Sequence, residues 1–248
     1  MRLKQYLTEK TFNINKDVDY IFNKYFKKLY IAILLDKWDG KFETKTFMSS
    51  DLPSKEAQDA SKLNPIKIVI TTADTGNFYM SLNHYIQLSP NTNVLNILRN
   101  YGSIKDATLM VTDRSKIIAF KNELNGVKMK DSIYHELSHW LDDTFHNFFL
   151  SKTVKLSLET GKYLQKQGKN NVNASKIEIN AQIHTIKQLK RVFSKKWDNL
   201  SFMDMLALDG SFSWVWGDLK GREFDIWKKD ILKRMAREKL LGKRMTVK

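Results

Sequence analysis

Over residues 131–150 the apolar side chains recur at three- and four-residue steps, and this amphipathic stripe constrains the fold more than any other stretch of the chain. At about 100° per residue, Ile133, Leu137, Trp140, Leu141, Phe145 and Phe148 fall roughly between 140° and 280°, which predicts a helix with one face buried. Asp131 or Ser132 stands where its N-cap is expected. His135 and His139 sit near 0° and about 40° on the same wheel, away from the core stripe.

The chain that must cover this helix has 248 residues, 42% of them hydrophobic. Chains of that length bury about 70–75% of their unfolded surface, which predicts one or two packed domains. It has no Cys, so disulfides, thiolate zinc sites, iron–sulfur clusters and cysteine nucleophiles are all excluded. That suits an intracellular protein. Residues 1–6 lack an apolar h-region, and the strongest apolar run, 30–35, is too short to span a bilayer, so a soluble protein with no membrane partner is expected. With 42 Lys plus Arg against 27 Asp plus Glu, the formal charge of +15 favours anionic partners.

Helical spacing of Ile14, Val18, Ile21, Phe22, Tyr25, Phe26 and Leu29 predicts a long helix over 14–35. A short strand near 42–47 and a helix over 54–63, begun just after Pro53, follow. Residues 66–70 read as a strand, and 78–80 with 84–88 flank a turn, which together predict a small antiparallel sheet. A short helix at 93–101 and strands at 109–111 and 117–120 are further candidates. After the polar stretch 165–175 a helix is expected over 176–193. The rest reads as helical, with Phe224, Trp227, Ile231 and Met235 spaced to pack. The expected organisation is an N-terminal helical region, 1–62, a core, 63–193, and a basic helical C-terminal region, 194–248.

His135-Glu136-Leu137-Ser138-His139 is H-E-x-x-H. Two imidazoles one helical turn apart can both present a ring nitrogen to one metal ion. Zinc lowers the pKa of its bound water toward 7, and a carboxylate beside that water can accept its proton while hydroxide attacks a carbonyl. His146 lies about 16 Å further along an unbroken helix and cannot reach the same ion.

These residues resemble the zincin metallopeptidases, whose active-site helix carries this motif behind a small mixed sheet; the likeness covers residues 66–190. It implies an α+β zincin-like fold, a Zn2+ cofactor held by His135 and His139, and Glu136 as catalytic base acting on a peptide or protein substrate. Metzincins extend the motif to a third His, and here Asp142 replaces the expected Gly and Phe145 the expected His. Gluzincins instead take a Glu from a second helix, which implies Glu178, with small Ala181 nearby for close packing. Glu159 competes for that role, and Gln182 replaces the Asp that thermolysin-like members carry four residues after the Glu. Glu178 has a structural alternative, since Ser175-Lys176-Ile177-Glu178 fits a capping box. Asp142 and Asp143 are candidates to orient a ligand imidazole, or are solvent-facing charges. His184 is a candidate oxyanion stabiliser or a structural histidine. In zincins the substrate commonly lies along an edge strand, for which the hairpin 78–88 is the candidate.

Residues 1–9 are similar to the N-terminal capsid-targeting peptides of internal head proteins of large tailed phages, which a prohead protease removes after a hydrophobic-x-Glu triplet. Leu7-Thr8-Glu9 fits that triplet, implying processing after Glu9 and a place in the virion interior, then the host cytoplasm. Residues 187–248 hold 16 Lys plus Arg against 8 Asp plus Glu, a composition suited to nonspecific nucleic-acid contact, and Trp214 and Trp216 are candidate stacking residues. The leading expectation is thus a zinc-dependent peptidase. The rival is a non-enzymatic, virion-packaged or DNA-associated protein on a zincin-like scaffold.

Overall fold

The computed structural model describes residues 12–39, 41–71, 76–80, 83–90, 126–145, 176–208, 212 and 219–245. The expected elements at 93–101, 109–111 and 117–120 lie outside these residues, as do the segment 1–9, Glu159, His146, Ser175, Trp214 and Trp216.

The N-terminal stripe forms α1 (Asn15–Ile21) and α2 (Lys27–Leu34), joined without a break by a π-helical turn, Phe22–Phe26. Val18, Ile21, Phe22, Phe26, Leu29, Tyr30 and Ile33 are buried, as the helical spacing predicts. Strand β1 (Lys45–Met48) starts three residues later than the expected start. α3 (Lys55–Leu63) begins where expected, and the Ser54 side chain accepts the Ala57 N–H at 3.0 Å as its N-cap. Asp17, buried on α1, accepts the Ser54 N–H at 2.8 Å and thereby ties the two helices together.

β2 (Lys67–Ile70), β3 (Phe78–Met80) and β4 (Tyr85–Leu88) complete a four-stranded sheet in the order β1-β2-β4-β3. The β3–β4 pair is the antiparallel hairpin expected, with Tyr79 opposite Ile86. The sheet as a whole is mixed, because β2 and β4 run parallel, with Ile68 opposite Ile86. β3 comes between them in sequence but lies outside β4 at the edge, so β2 takes the inner place beside β4. Ile68, Ile70, Ile86 and Leu88 point to one face and are fully buried.

α4 (Val127–Phe145) carries the H-E-x-x-H residues and begins a turn before the expected cap at Asp131 or Ser132. Met129 continues the stripe one turn back from Ile133 and is 1% exposed, so the apolar face drives the helix through to Gly126. Asp131 is a buried interior residue of the helix. α5 (Lys176–Val192) packs along α4, and it is followed by α6 (Phe202–Ala207) and α7 (Arg222–Arg237). On α7, Trp227, Ile231 and Met235 are fully buried and Phe224 packs beside them, as their spacing predicts.

The fold is therefore α+β, with two apolar clusters. One joins α1, α2, α3, the sheet and the inner face of α4. The other is built from Ile179, Ile183, Ile186 and Leu189 of α5 together with α6, α7 and Trp197. Among the described residues no helix is long and apolar enough to cross a membrane.

Candidate metal centre

The α4–α5 contact brings together the three residues that the sequence nominates as ligands. Residues three and four apart share a helix face, so His135 and His139 project side by side, and their Nε2 atoms stand 3.0 Å apart with the rings nearly perpendicular. Glu178, in the first turn of α5, turns its carboxylate across this pair. One oxygen lies 3.6 Å from His135 Nε2 and the other 3.5 Å from His139 Nε2. One ligand atom from each residue falls within 4.8 Å of the others, and among the described residues this is the group of His and acidic side chains so arranged. Ligands about 2.0–2.1 Å from a tetrahedral zinc stand roughly 3.3 Å from one another, so the spacing suits a small divalent ion.

The protonation states suit a cation as well. Burial holds the His139 imidazole down to about 4 against the opposing pull of Glu178, so the ring is neutral and able to ligate at pH 7. Burial also works against the charge on Glu178, but the two imidazoles outweigh it and keep the carboxyl below its ordinary range. A two-imidazole, one-carboxylate donor set is of the kind that binds catalytic zinc.

Glu136, one residue after His135, interacts with both His135 and Glu178 and accepts a hydrogen bond from the Tyr79 backbone N–H of the sheet. It is 7% exposed, and burial raises its carboxyl to about 7, with the Glu178 charge adding to the rise and His135 and the Tyr79 backbone N–H opposing it. That N–H comes from β3, one of the two edge strands of the sheet, the other being β1. Glu136 thus stands between the candidate ligands and the strand edge.

The surroundings of several neighbours bear on the alternatives the sequence left open for them. Asp142 and Asp143 are not solvent-facing charges of a single kind: Asp142 accepts the Asn180 side-chain amide of α5 at 3.3 Å, and Asp143, fully buried, accepts the Tyr79 hydroxyl at 2.8 Å. His139 Nδ1 is buried and has no hydrogen-bond partner among the described residues, so neither Asp orients it by a hydrogen bond. His184 is a core residue, 5% exposed, with its ring against Phe12 and Tyr134, and burial pushes it down to about 3. A neutral imidazole packed between two rings fits a structural role. Gln182 accepts the Trp227 indole N–H at 2.9 Å and so faces the C-terminal cluster instead of the imidazoles.

Sequence reasoning missed Asn64. Its side-chain amide donates to Thr144 at 3.1 Å and to the Tyr79 hydroxyl at 3.4 Å, its side-chain oxygen meets His84 Nδ1 at 2.9 Å, and its backbone carbonyl accepts the Trp140 indole N–H at 3.0 Å. One residue after α3 therefore joins the hairpin to the helix that bears the histidines. Tyr79 was also missed individually, although it lies in the hairpin singled out for its alternation of aromatic and polar residues.

Comparison with family models, curated proteins and solved structures gives no match for this chain.

Proposed function

We propose that this chain is a zinc-dependent peptidase of the gluzincin kind. The observation that carries the reading is the convergence of Glu178, from a separate helix, on the two Nε2 atoms of the H-E-x-x-H pair. Zinc held by His135, His139 and Glu178 would supply a Lewis acid and a water made acidic enough to ionise near neutral pH.

The chain's own groups account for the rest. Glu136, buried beside the ligand pair, is placed to take a proton at its carboxylate and return it to the leaving amine, as general acid–base catalysis requires. The Tyr79 N–H holds that carboxylate toward the edge of β3. An extended peptide laid along this edge would bring its carbonyl beside Glu136, as peptides do when they add a strand to a sheet. Burial of Glu136 and His139 excludes water that would otherwise solvate the base.

The test is the pair Glu136→Gln and Glu178→Ala. Glu136→Gln is expected to keep stoichiometric zinc and lose peptide hydrolysis by several orders of magnitude, because base and metal act together. Glu178→Ala is expected to lose zinc. Undiminished hydrolysis in Glu136→Gln, or wild-type protein that takes up no zinc at neutral pH without chelator, would overturn the proposal.

A further inference from the structure

Away from the candidate metal centre, a cavity of about 320 Å³ opens between α2, the preceding π-helical turn and the segment leading into β1. Its size is at the small end of ligand pockets, roughly 300–1,000 Å³, which leaves room for one small molecule or one unit of a polymer. Tyr25, Trp38 and Phe42 form its aromatic lining, and each is half-buried. Four lysines, Lys24, Lys28, Lys41 and Lys45, stand around it against the single acid Glu43.

These groups are arranged by structure already described. The Trp38 indole N–H donates to the Lys41 carbonyl at 3.0 Å, which fixes the ring across the turn. Tyr25 stacks on Phe47 of β1 at 4.8 Å between ring centres, so one face is committed and the ring is held rigid. No ring contact engages Trp38 among the described residues. Lys24 donates to the Tyr20 hydroxyl at 2.6 Å and lies over the Tyr25 ring, and Lys45 pairs with Glu43. The Lys28 and Lys41 ammonium groups form no ion pair among the described residues, although the Lys41 backbone N–H donates to the Asp39 carboxylate at 3.0 Å, so the rim keeps an excess of positive charge on a chain already at +15.

A cavity lined by half-buried aromatic rings and rimmed by ammonium groups matches a ligand that is planar at one end and anionic at the other. A stacked base uses the ring face, and a phosphate neutralises the lysines. We propose that this pocket binds a nucleoside phosphate unit, its base against Trp38 and Phe42 and its phosphate among Lys24, Lys28 and Lys41. The same chemistry is offered by a free nucleotide and by one residue of a single strand, and the two sources are separated by the probes below. The site is independent of the metal centre and of the basic C-terminal helix.

The experiment titrates the full-length protein, at low salt, with a fluorescein-labelled oligothymidylate followed by anisotropy, and with thymidine monophosphate as competitor. Displacement by the mononucleotide identifies a nucleotide pocket, and binding of the oligonucleotide alone identifies a strand site; either supports the proposal when the pocket variants below weaken it. Lys28→Gln with Lys41→Gln is expected to weaken binding about tenfold or more and to reduce the slope of log affinity against log salt by about 0.7, the share of one single-strand phosphate contact. Trp38→Ala should weaken it by about five- to a hundredfold, with Trp38→Phe retaining most of the affinity. Should Trp38→Ala perturb folding, the double lysine variant, which removes only exposed ammonium groups, still decides the matter. Three outcomes would overturn the assignment: no binding of either probe, unchanged binding in the pocket variants with loss on Lys229→Gln and Lys233→Gln of α7, or preference for a phosphotyrosyl peptide over both nucleotide probes.

Discussion

Glu136 and His139 lie on the same turn of α4, and burial moves their titrations in opposite directions. In the metal-free protein Glu136 keeps its proton up to about pH 7, whereas an unfolded Glu loses it near its ordinary 4.5. The stability that this neutral carboxyl contributes is present below about pH 4.5 and is lost as pH rises through 7. His139 behaves the other way: the unfolded ring takes up a proton near 6.5 but the folded one only near 4, so its contribution is present above 6.5 and lost as pH falls toward 4. Metal-free Glu136→Gln should therefore be more stable than wild type at pH 8, by about 2–3 kcal/mol, and nearly equal to it at pH 4.5. Urea unfolding of chelator-treated protein at both values measures this, and an identical offset at the two would contradict it. The pair His135 and His139 was legible in the sequence because helical period alone sets their spacing. The two roles open to His184, structural residue or oxyanion stabiliser, could not be separated there, because only tertiary packing decides whether a lone imidazole meets rings or a substrate.

At the level of elements, the position of the hairpin rests on a few polar contacts to α4. The Tyr79 hydroxyl to Asp143 and the Asn64 side chain to Thr144 are buried or part-buried hydrogen bonds between distant segments. Asn64→Ala would leave Thr144 and His84 each short of a partner, and about 2–3 kcal/mol of stability should be lost, read as a shift in urea midpoint. A second test is steric. Gly126 precedes α4 with φ +70°, and an added Cβ would come 2.2 Å from the Phe22 ring. Gly126→Ala combines left-handed strain with a forced shift of a buried aromatic, and about 2–4 kcal/mol of destabilisation is expected by thermal unfolding. Element type was readable from periodicity for α1, α3, α4 and the β3–β4 hairpin. Parallel pairing of β2 with β4 was not, since alternation along a strand reports which face is buried and is silent on which neighbour it adopts. Asn64 carries no signal of its own: an Asn at a helix end is usual, and its four partners come from segments up to 80 residues away.

On the scale of the molecule, the two apolar clusters meet where α5 packs on α4. Ile179, Ile183, Ile186 and Leu189 serve one cluster, while Glu178, Asn180 and His184 of the same helix face α4 or the N-terminal core. An ion held by His135, His139 and Glu178 would staple the clusters across this seam. Because such an ion binds the folded chain and not the unfolded one, zinc at a hundredfold excess over its dissociation constant should add about 2.7 kcal/mol. A corresponding rise in melting temperature, reversed by chelator and absent in Glu178→Ala, is the expected result by calorimetry; a zinc effect undiminished in that variant would place the ion elsewhere. Glu178 was legible as a candidate third ligand from the first turn of the downstream helix. The sequence leaves ligand and cap both open, because both roles ask for a carboxylate at that position.

A third donor at Glu178, as proposed, would also bear on when an ion is bound. Two imidazoles on one helix make only a weak chelator by themselves, and the carboxylate joins them only after a long stretch of chain has looped back and docked. Ion capture should then be among the last events of folding, so that the rate of tight zinc uptake by refolding protein reports completion of the tertiary structure and not formation of the helix that bears the histidines.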